Sequence, residues 1–393
     1  SNKTIYPPAA NASSWDFAGI NLSGLEFGAI INPYVIPNLS AEDSATNYTD
    51  LPYTQLFING GVNTIRIPMS WDYLLWNSEG DLTTGEPLPN QAFNNYYTYY
   101  VAPLLQTLTS AGVYTILDLH TYFRYSIYGS QYSGCNSTPI SPGGPTPPCP
   151  DGTLNTNLAD YTAVWGQLLT AIQNDPNIDE NFIMLDLINE PVNVPNDTVF
   201  TLQTSLINYL RAAPFNFTGY ILVEGNNWTP LHAWAEYTWL SDDGETTYSN
   251  ATLFTKDNFA AQGITDTSKI LINVHQYFDD NYSGTGNTCQ TDLSTTGPNG
   301  FNLDAFITYL NENELNAMVT EFGTGTDQAT CEPALTTFMQ YMQANSSQVQ
   351  PYGFKGWTIW STGHGWGNYN LLVEPTASNY QWQVLLPFLN TTS

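Results

Sequence analysis

The sequence predicts an α/β chain folded as one closed (β/α)8 (TIM) barrel, a single domain. Two observations carry this. Eight short apolar runs recur along the chain, near-continuous rather than alternating, as in strands buried on both faces of a parallel sheet. The stretches between them carry helical periodicity, as in "AFITYLNENELN" and "ALTTFMQYMQAN".

In chain order, residues 1–15 are polar and turn-rich and read as an N-terminal arm, and residues 16–393 as the barrel domain. The first strand is expected at Phe17–Leu22. The second runs from Val62 to Ile67, stopped by Pro68. The third lies in "AGVYTILDLH" and ends at His120, and the fourth, "NFIMLDLINEP", ends at Glu190 and Pro191. "GYILVEGNNW", "SKILINVHQY", "NAMVTEFG" and "GFKGWTIWST" supply strands five to eight. Long loops over 122–157 and 278–300 follow strands three and six, on the face where a barrel builds its groove.

Composition narrows the function. The 393 residues carry 35 acidic groups against 7 Lys plus Arg, a net charge of −28. A polyanion of this kind repels nucleic acid and anionic membrane, whereas a neutral polymer feels no such repulsion. No run of 18 apolar residues occurs to span a bilayer. Ser1 reads as a processed or trimmed start. N-x-[ST] sequons begin at Asn2, Asn11, Asn38, Asn47, Asn136, Asn196, Asn216, Asn250, Asn281, Asn345 and Asn390, which suits a secreted glycoprotein. Asn21 and Asn227 also match but fall at the expected cleft rim, where a glycan would block access. Four cysteines allow three pairings. The expected one joins Cys135 to Cys149 and Cys289 to Cys331, with free buried thiols as the alternative. Without C-x-x-C spacing, and with only four histidines, a zinc cluster has no basis, and no cofactor is implied.

Polar residues gather where the strands end: His120, Asn189 and Glu190, His275 and Tyr277, Glu321, and Trp360. A carboxylate ending a buried strand is costly unless paired, and three Arg and four Lys offer few partners. Two carboxylates facing each other across a barrel mouth are the equipment for cutting a glycosidic bond. One donates a proton to the leaving oxygen and the other attacks the anomeric carbon. Their mutual repulsion helps separate the two pKa values.

"DLINEP" (186–191), "VTEFG" (319–323) and "GVNTIRIPMSWDYL" resemble glycoside hydrolase family 5. "GLEFG", "ILVEGNNWT", "HQYFD" and "GWTIWSTGHGWG" are similar to the fungal-type endo-β-1,4-glucanases (cellulases) of that family, over nearly the whole chain. The resemblance implies a retaining double displacement with Glu190 as acid/base and Glu321 as nucleophile. It implies that Asn189 binds the 2-hydroxyl, that Arg66 pairs with Glu321 and keeps it ionised, and that Tyr277 donates to the nucleophile. His275 and His120 would contact sugar, Trp360 and Trp228 would be stacking platforms, and Glu26 would sit at the rim. Trp71, Trp357 and Trp366 read as packing, and Arg124 as either a substrate contact or a loop anchor. Thr121 stands where the family has Asn, and "IWSTGHGWG" departs from its strand-eight pattern. Both are expected in the sugar-binding rim and bear on which glucan is cut.

The expected partner is a β-glucan polysaccharide, acted on by a secreted, extracellular monomer. An endo-β-mannanase or a mixed-linkage or β-1,3-glucanase would keep the same catalytic pair. A binding-only barrel would lack one carboxylate, and a metal-dependent hydrolase would need more histidines.

Overall fold

The computed structural model describes residues 15–26, 51–71, 74, 96–123, 126–127, 130–131 and 158–389. Eight parallel strands close a barrel: β1 (Phe17–Leu22), β2 (Thr64–Met69), β3 (Tyr114–Leu119), β4 (Ile183–Asp186), β5 (Ile221–Glu224), β6 (Ile270–Tyr277), β7 (Asn316–Gly323) and β8 (Phe354–Thr362). Each pairs with its neighbours in sequence, and β8 closes on β1, with Phe17 opposite Gly356. A helix follows every strand: α1 (Leu51–Asn59), α2 (Ala102–Ser110), α3 (Leu158–Gln173), α4 (Thr198–Arg211), α5 (Lys256–Ala261), α6 (Leu303–Asn313), α7 (Gln328–Ala344) and α8 (Tyr380–Leu385). All eight expected strands are present. Two differ in extent: the second begins at Thr64 and continues through Pro68 to Met69, and the fourth stops at Asp186, short of the expected Glu190, where the backbone turns left-handed and leaves the ladder. β1 pairs with β2 only as far as Asn21–Arg66, so the proline lies beyond the ladder on that side.

Apolar strand residues divide between two regions. One large cluster lies between the barrel wall and the helices. A second is built from residues near the starts of six strands, Phe17, Ile116, Met184, Leu222, Leu271 and Met318, and closes the N-terminal end of the barrel interior. Above that floor the interior is polar. Each strand contributes one buried polar residue to a hydrogen-bonded layer: Asn21, Arg66, Asp118, Asp186, Glu224, Asn273, Thr320 and Thr358. Burying such groups is tolerable only when they satisfy one another, and the catalytic face rests on this layer.

Trp15, at the end of the expected arm, is buried. Cys289 and Cys331 form the expected disulfide, with 4.9 Å between Cα atoms, tying the loop after β6 to the first turn of α7. Cys135, Cys149 and Arg124 lie outside the described residues. No helix among the described residues is long and apolar enough to cross a membrane.

Candidate active site

The site forms where the strands end at the C-terminal mouth. β4 and β7 deliver the two carboxylates. Glu321 is the sixth residue of β7, and its side chain is 5% exposed. Glu190 stands four residues past the end of β4, with φ 44°, and its side chain is 15% exposed. A left-handed backbone at a glutamate is a strained choice, kept where the surroundings fix it. Here they do: the Glu190 backbone N–H donates to Glu224 Oε1 at 3.1 Å, from the end of β5. An oxygen of Glu190 and one of Glu321 lie within 4.8 Å of each other, with His275 between.

Arg66 organises the floor. Its Nε donates to Asp186 at 3.0 Å, one terminal nitrogen to Asn21 and Glu321 at 2.9 and 3.0 Å, and the other to Asn189 and Asp118 at 2.8 and 3.0 Å. Glu224 lies 3.5 Å from that second nitrogen. One cation thus faces four carboxylates. Burial works against the guanidinium charge, but Asp118, Asp186, Glu321 and Glu224 outweigh it and raise its pKa well above the ordinary value. Sharing explains a departure from expectation at Glu321. The arginine is indeed its partner, yet the Glu321 pKa is raised, because burial outweighs a charge divided among four anions. Burial, then repulsion by Glu321, pushes Glu190 well above the usual carboxylate range.

The remaining first-reading residues surround this pair. Tyr277 donates to Glu321 Oε1 at 2.7 Å. His275 Nδ1 lies 2.7 Å from Glu190 Oε2 and 3.7 Å from Glu321 Oε2. His120 Nδ1 lies 2.7 Å from Asp118, and Asn189 Nδ2 is 3.4 Å from its Nε2. Burial lowers the pKa of both histidines and favours their neutral forms. Asn189 is fully buried beneath the cleft, its amide engaged by Arg66 and His120. Glu26 accepts from the Ser23 hydroxyl and from Gly24 N–H, and burial raises its pKa.

A cleft of about 700 Å³ opens over these groups. Trp360 and Trp228 both line it. The Trp360 indole lies parallel to His120 at 5.3 Å and donates to Tyr369 Oη at 3.0 Å. Trp228 sits in a run of three left-handed residues, Asn227, Trp228 and Thr229, that turns the chain over the cleft. Trp71 and Trp357 are buried, but Trp366 departs from the packing role: it lines the cleft, stacked on Tyr369 at 3.9 Å. Its ring is held by donation to Ser361 Oγ at 2.8 Å. Thr121 is fully buried rather than at the rim.

The opposite wall comes from the loop after β6. Asp279 gathers the N–H groups of Gly284, Thr285 and Gly286 at 2.9 to 3.1 Å and the Ser283 hydroxyl at 3.0 Å, which sets Tyr282 into the cleft wall. There Tyr282 stacks on His232 at 3.8 Å. Among the sequons, Asn21, Asn227 and Asn250 are buried, so none of the three is open to glycosylation in the folded chain.

Sequence reasoning did not single out Asp118, Glu224, Asn273, Thr320, Tyr122 or Tyr369. Four of these had a readable signal. Asp118, Glu224, Asn273 and Thr320 each interrupt an apolar strand at similar depth, as do Arg66 and Asp186. Tyr122 and Tyr369 lie on loops and carried none.

The cellulase (glycosyl hydrolase family 5) model matches residues 28–363. Endoglucanase EG-II of Hypocrea jecorina is 26% identical over 377 residues, covering 93% of this chain and 74% of that protein. The probable endo-β-1,4-glucanase B of Aspergillus kawachii is 26% identical over 370 residues, covering 93% and 86%. The structure of XacCel5A in complex with cellopentaose superposes with a TM-score of 0.65 at 24% identity, over 95% of this chain and 99% of that one. With a family model spanning most of the chain and a barrel that carries two facing carboxylates at its mouth, this glycoside hydrolase belongs to the cellulase family, glycosyl hydrolase family 5.

Proposed function

We propose that this chain is a retaining endo-β-1,4-glucanase. The observation that carries the mechanism is the spacing of the carboxylates, with oxygens of Glu190 and Glu321 within 4.8 Å. Retaining glycosidases hold the two groups about 5 Å apart, and inverting ones leave roughly 6.5 Å or more for a water. Glu321 attacks the anomeric carbon while Glu190 protonates the leaving oxygen. Water then cleaves the glycosyl ester, giving its proton to Glu190. The roles follow from the contacts. Arg66 and the Tyr277 hydroxyl donate to Glu321 and stabilise its anion, which suits the nucleophile, while burial and the repulsion of Glu321 raise the pKa of Glu190, which suits the acid.

The substrate assignment rests on the relatives, whose names carry endoglucanase activity, and on the aromatic-lined cleft. Flat rings such as Trp228, Trp360 and Trp366 suit the apolar faces of pyranose rings. We infer further that the chain is secreted and acts as a monomer, on the strength of its sequons, its disulfide and its acidic surface.

Initial rates on carboxymethyl cellulose, barley glucan, laminarin and galactomannan test the substrate. Turnover confined to galactomannan would overturn the glucanase assignment. Proton NMR of the nascent product tests the mechanism: β-anomer is expected first, and α-anomer first would exclude retention.

A further inference from the structure

A hydrogen-bond chain runs beneath Glu190, and its direction is fixed at the far end. Asn273, fully buried on β6, directs its amide Nδ2 at Asp186 Oδ2 (3.0 Å) and Glu224 Oε2 (3.2 Å). Two carboxyl acceptors require the NH2 edge there, so the amide oxygen must face the other way. It meets Thr320 Oγ1 at 2.7 Å. An amide oxygen only accepts, so the Thr320 hydroxyl donates to it. The same hydroxyl lies 3.0 Å from His275 Nε2, and with its hydrogen already committed it can only accept there. His275 Nε2 therefore carries a hydrogen. Burial and the Arg66 charge lower the His275 pKa and favour its neutral form, in which that hydrogen is its only one and Nδ1 is bare. Glu190 Oε2 is 2.7 Å from that bare nitrogen, a contact that requires a proton on the carboxyl.

We propose that Asn273 and Thr320 are positioning residues of this site: they fix His275 as its Nε2–H tautomer, so that Nδ1 accepts the carboxyl proton of Glu190 and keeps the acid in its donating form. The inference rests on Glu190 as the acid/base. In the first half-reaction the Glu190 carboxyl turns about its Cγ–Cδ bond and passes this proton to the leaving oxygen. The C1–O bond breaks as Glu321 bonds to C1. The Glu190 carboxylate then faces a lone pair on Nδ1, an unfavourable pairing that makes it an effective base. In the second half-reaction it takes a proton from water, whose oxygen bonds to C1 as the Glu321 ester breaks. The resting arrangement returns.

Other charges act on the same proton. Glu321 and Asp118 face Glu190 from β7 and β3 and favour the acid form, and Arg66 from β2 opposes them; Glu224 from β5 takes the Glu190 backbone N–H and lies 3.4 Å from His275 Nε2, where it too favours a hydrogen on that nitrogen. Tyr122, Tyr277 and Tyr369 are neutral, His120 and His275 favour their neutral forms, and Glu26 lies further out beside His120. These are unchanged by substitution at Thr320, which isolates the tautomer.

Nitrogen-15 NMR of the histidine-labelled protein reads the tautomer directly, in the enzyme as it exists. His275 is expected to show a hydrogen on Nε2 and a bare Nδ1. A hydrogen on Nδ1 at pH 5 would overturn the proposal. Because this reading needs no substrate, it stands apart from any failure of the glucanase assignment. Thr320→Val removes the closer acceptor of the Nε2 hydrogen, leaving only the 3.4 Å contact to Glu224, and so shifts the balance toward a His275 that donates from Nδ1. The basic limb of the kcat/KM–pH profile should then fall by about one unit, while Thr320→Ser restores it. An unmoved basic limb in a folded Thr320→Val protein, checked by circular dichroism, would refute the link to Glu190.

Discussion

Replacing Tyr277 by phenylalanine removes a single hydroxyl, the one that donates to Glu321 Oε1 at 2.7 Å. The nucleophile's other oxygen keeps its bond from Arg66 at 3.0 Å, so Oε1 alone loses its donor. A hydrogen bond to an ionised carboxylate contributes about 1.5–3 kcal/mol, and one to the neutral acid about 1 kcal/mol. The difference, roughly 0.5–2 kcal/mol, stabilises the anion and corresponds to about one pKa unit. The sign is unambiguous. Losing the donor raises the Glu321 pKa further, so the acid limb of kcat/KM moves up by about one unit. Well below that limb the rate should drop about tenfold, and on the plateau much less, because there Glu321 is ionised in both proteins. The basic limb, set by Glu190, should stay in place. Initial rates on an aryl β-cellobioside from pH 3 to 8 at fixed ionic strength measure both limbs. An unmoved acid limb would refute the assignment of Tyr277 as the group that holds the nucleophile's charge. Tyr277→Phe and Thr320→Val thus act on opposite limbs of one profile.

The two carboxylates are distinguishable by azide. Glu190→Ala should retain turnover of substrates with good leaving groups and yield β-glycosyl azide, while Glu321→Ala should be nearly inactive and yield the α-azide; the reverse products would exchange the roles. The melting temperature should be highest in acid and fall as pH rises from about 4 to 7. Burial raises the folded pKa of Glu26, Asp118, Asp186, Glu190, Glu224 and Glu321, with Asp186 at about 6 and Asp118 at about 7. A carboxyl with a raised folded pKa contributes stability that is present at low pH and lost as pH climbs through the folded value. His120, His232 and His275 run the other way, because their lowered folded pKa values withdraw stability as pH drops below about 6.5. Six carboxyls outnumber three imidazoles, and a melting temperature that climbs steadily from pH 4 to 8 would show the balance reversed.

The strands were legible because burial on both faces leaves an apolar run that needs no partner to be recognised. Phe17–Leu22 is the plainest case, a run interrupted only by the polar Asn21 and found where it was expected. The limits of β2 were not legible, since a proline stops a strand only where its missing N–H faces a neighbour, and β1 ends before Pro68. The chemistry was legible where a carboxylate stands near or just past the end of a buried strand, as Glu321 and Glu190 do. Trp366 was misjudged because an indole at a loop packs or binds according to which side it presents, and that depends on Ser361 and Tyr369.

By itself, then, the sequence determined the eight-fold alternation and the two glutamates at the strand ends, which follow from local pattern. The family resemblance supplied the Arg66–Glu321 and Tyr277–Glu321 partnerships, and of the three pairings that four cysteines allow the structure holds Cys289–Cys331. What only the tertiary structure decided is how charge is shared and where protons reside. Arg66 meets Asp118, Asp186, Glu224 and Glu321 only once β2, β3, β4, β5 and β7 converge. The same closure brings Asn273, Thr320 and His275 into one directed chain below Glu190. A side chain's pKa and tautomer are properties of its neighbours' dipoles and charges at distances near 3 Å, and residues this far apart in sequence become neighbours only when the barrel closes.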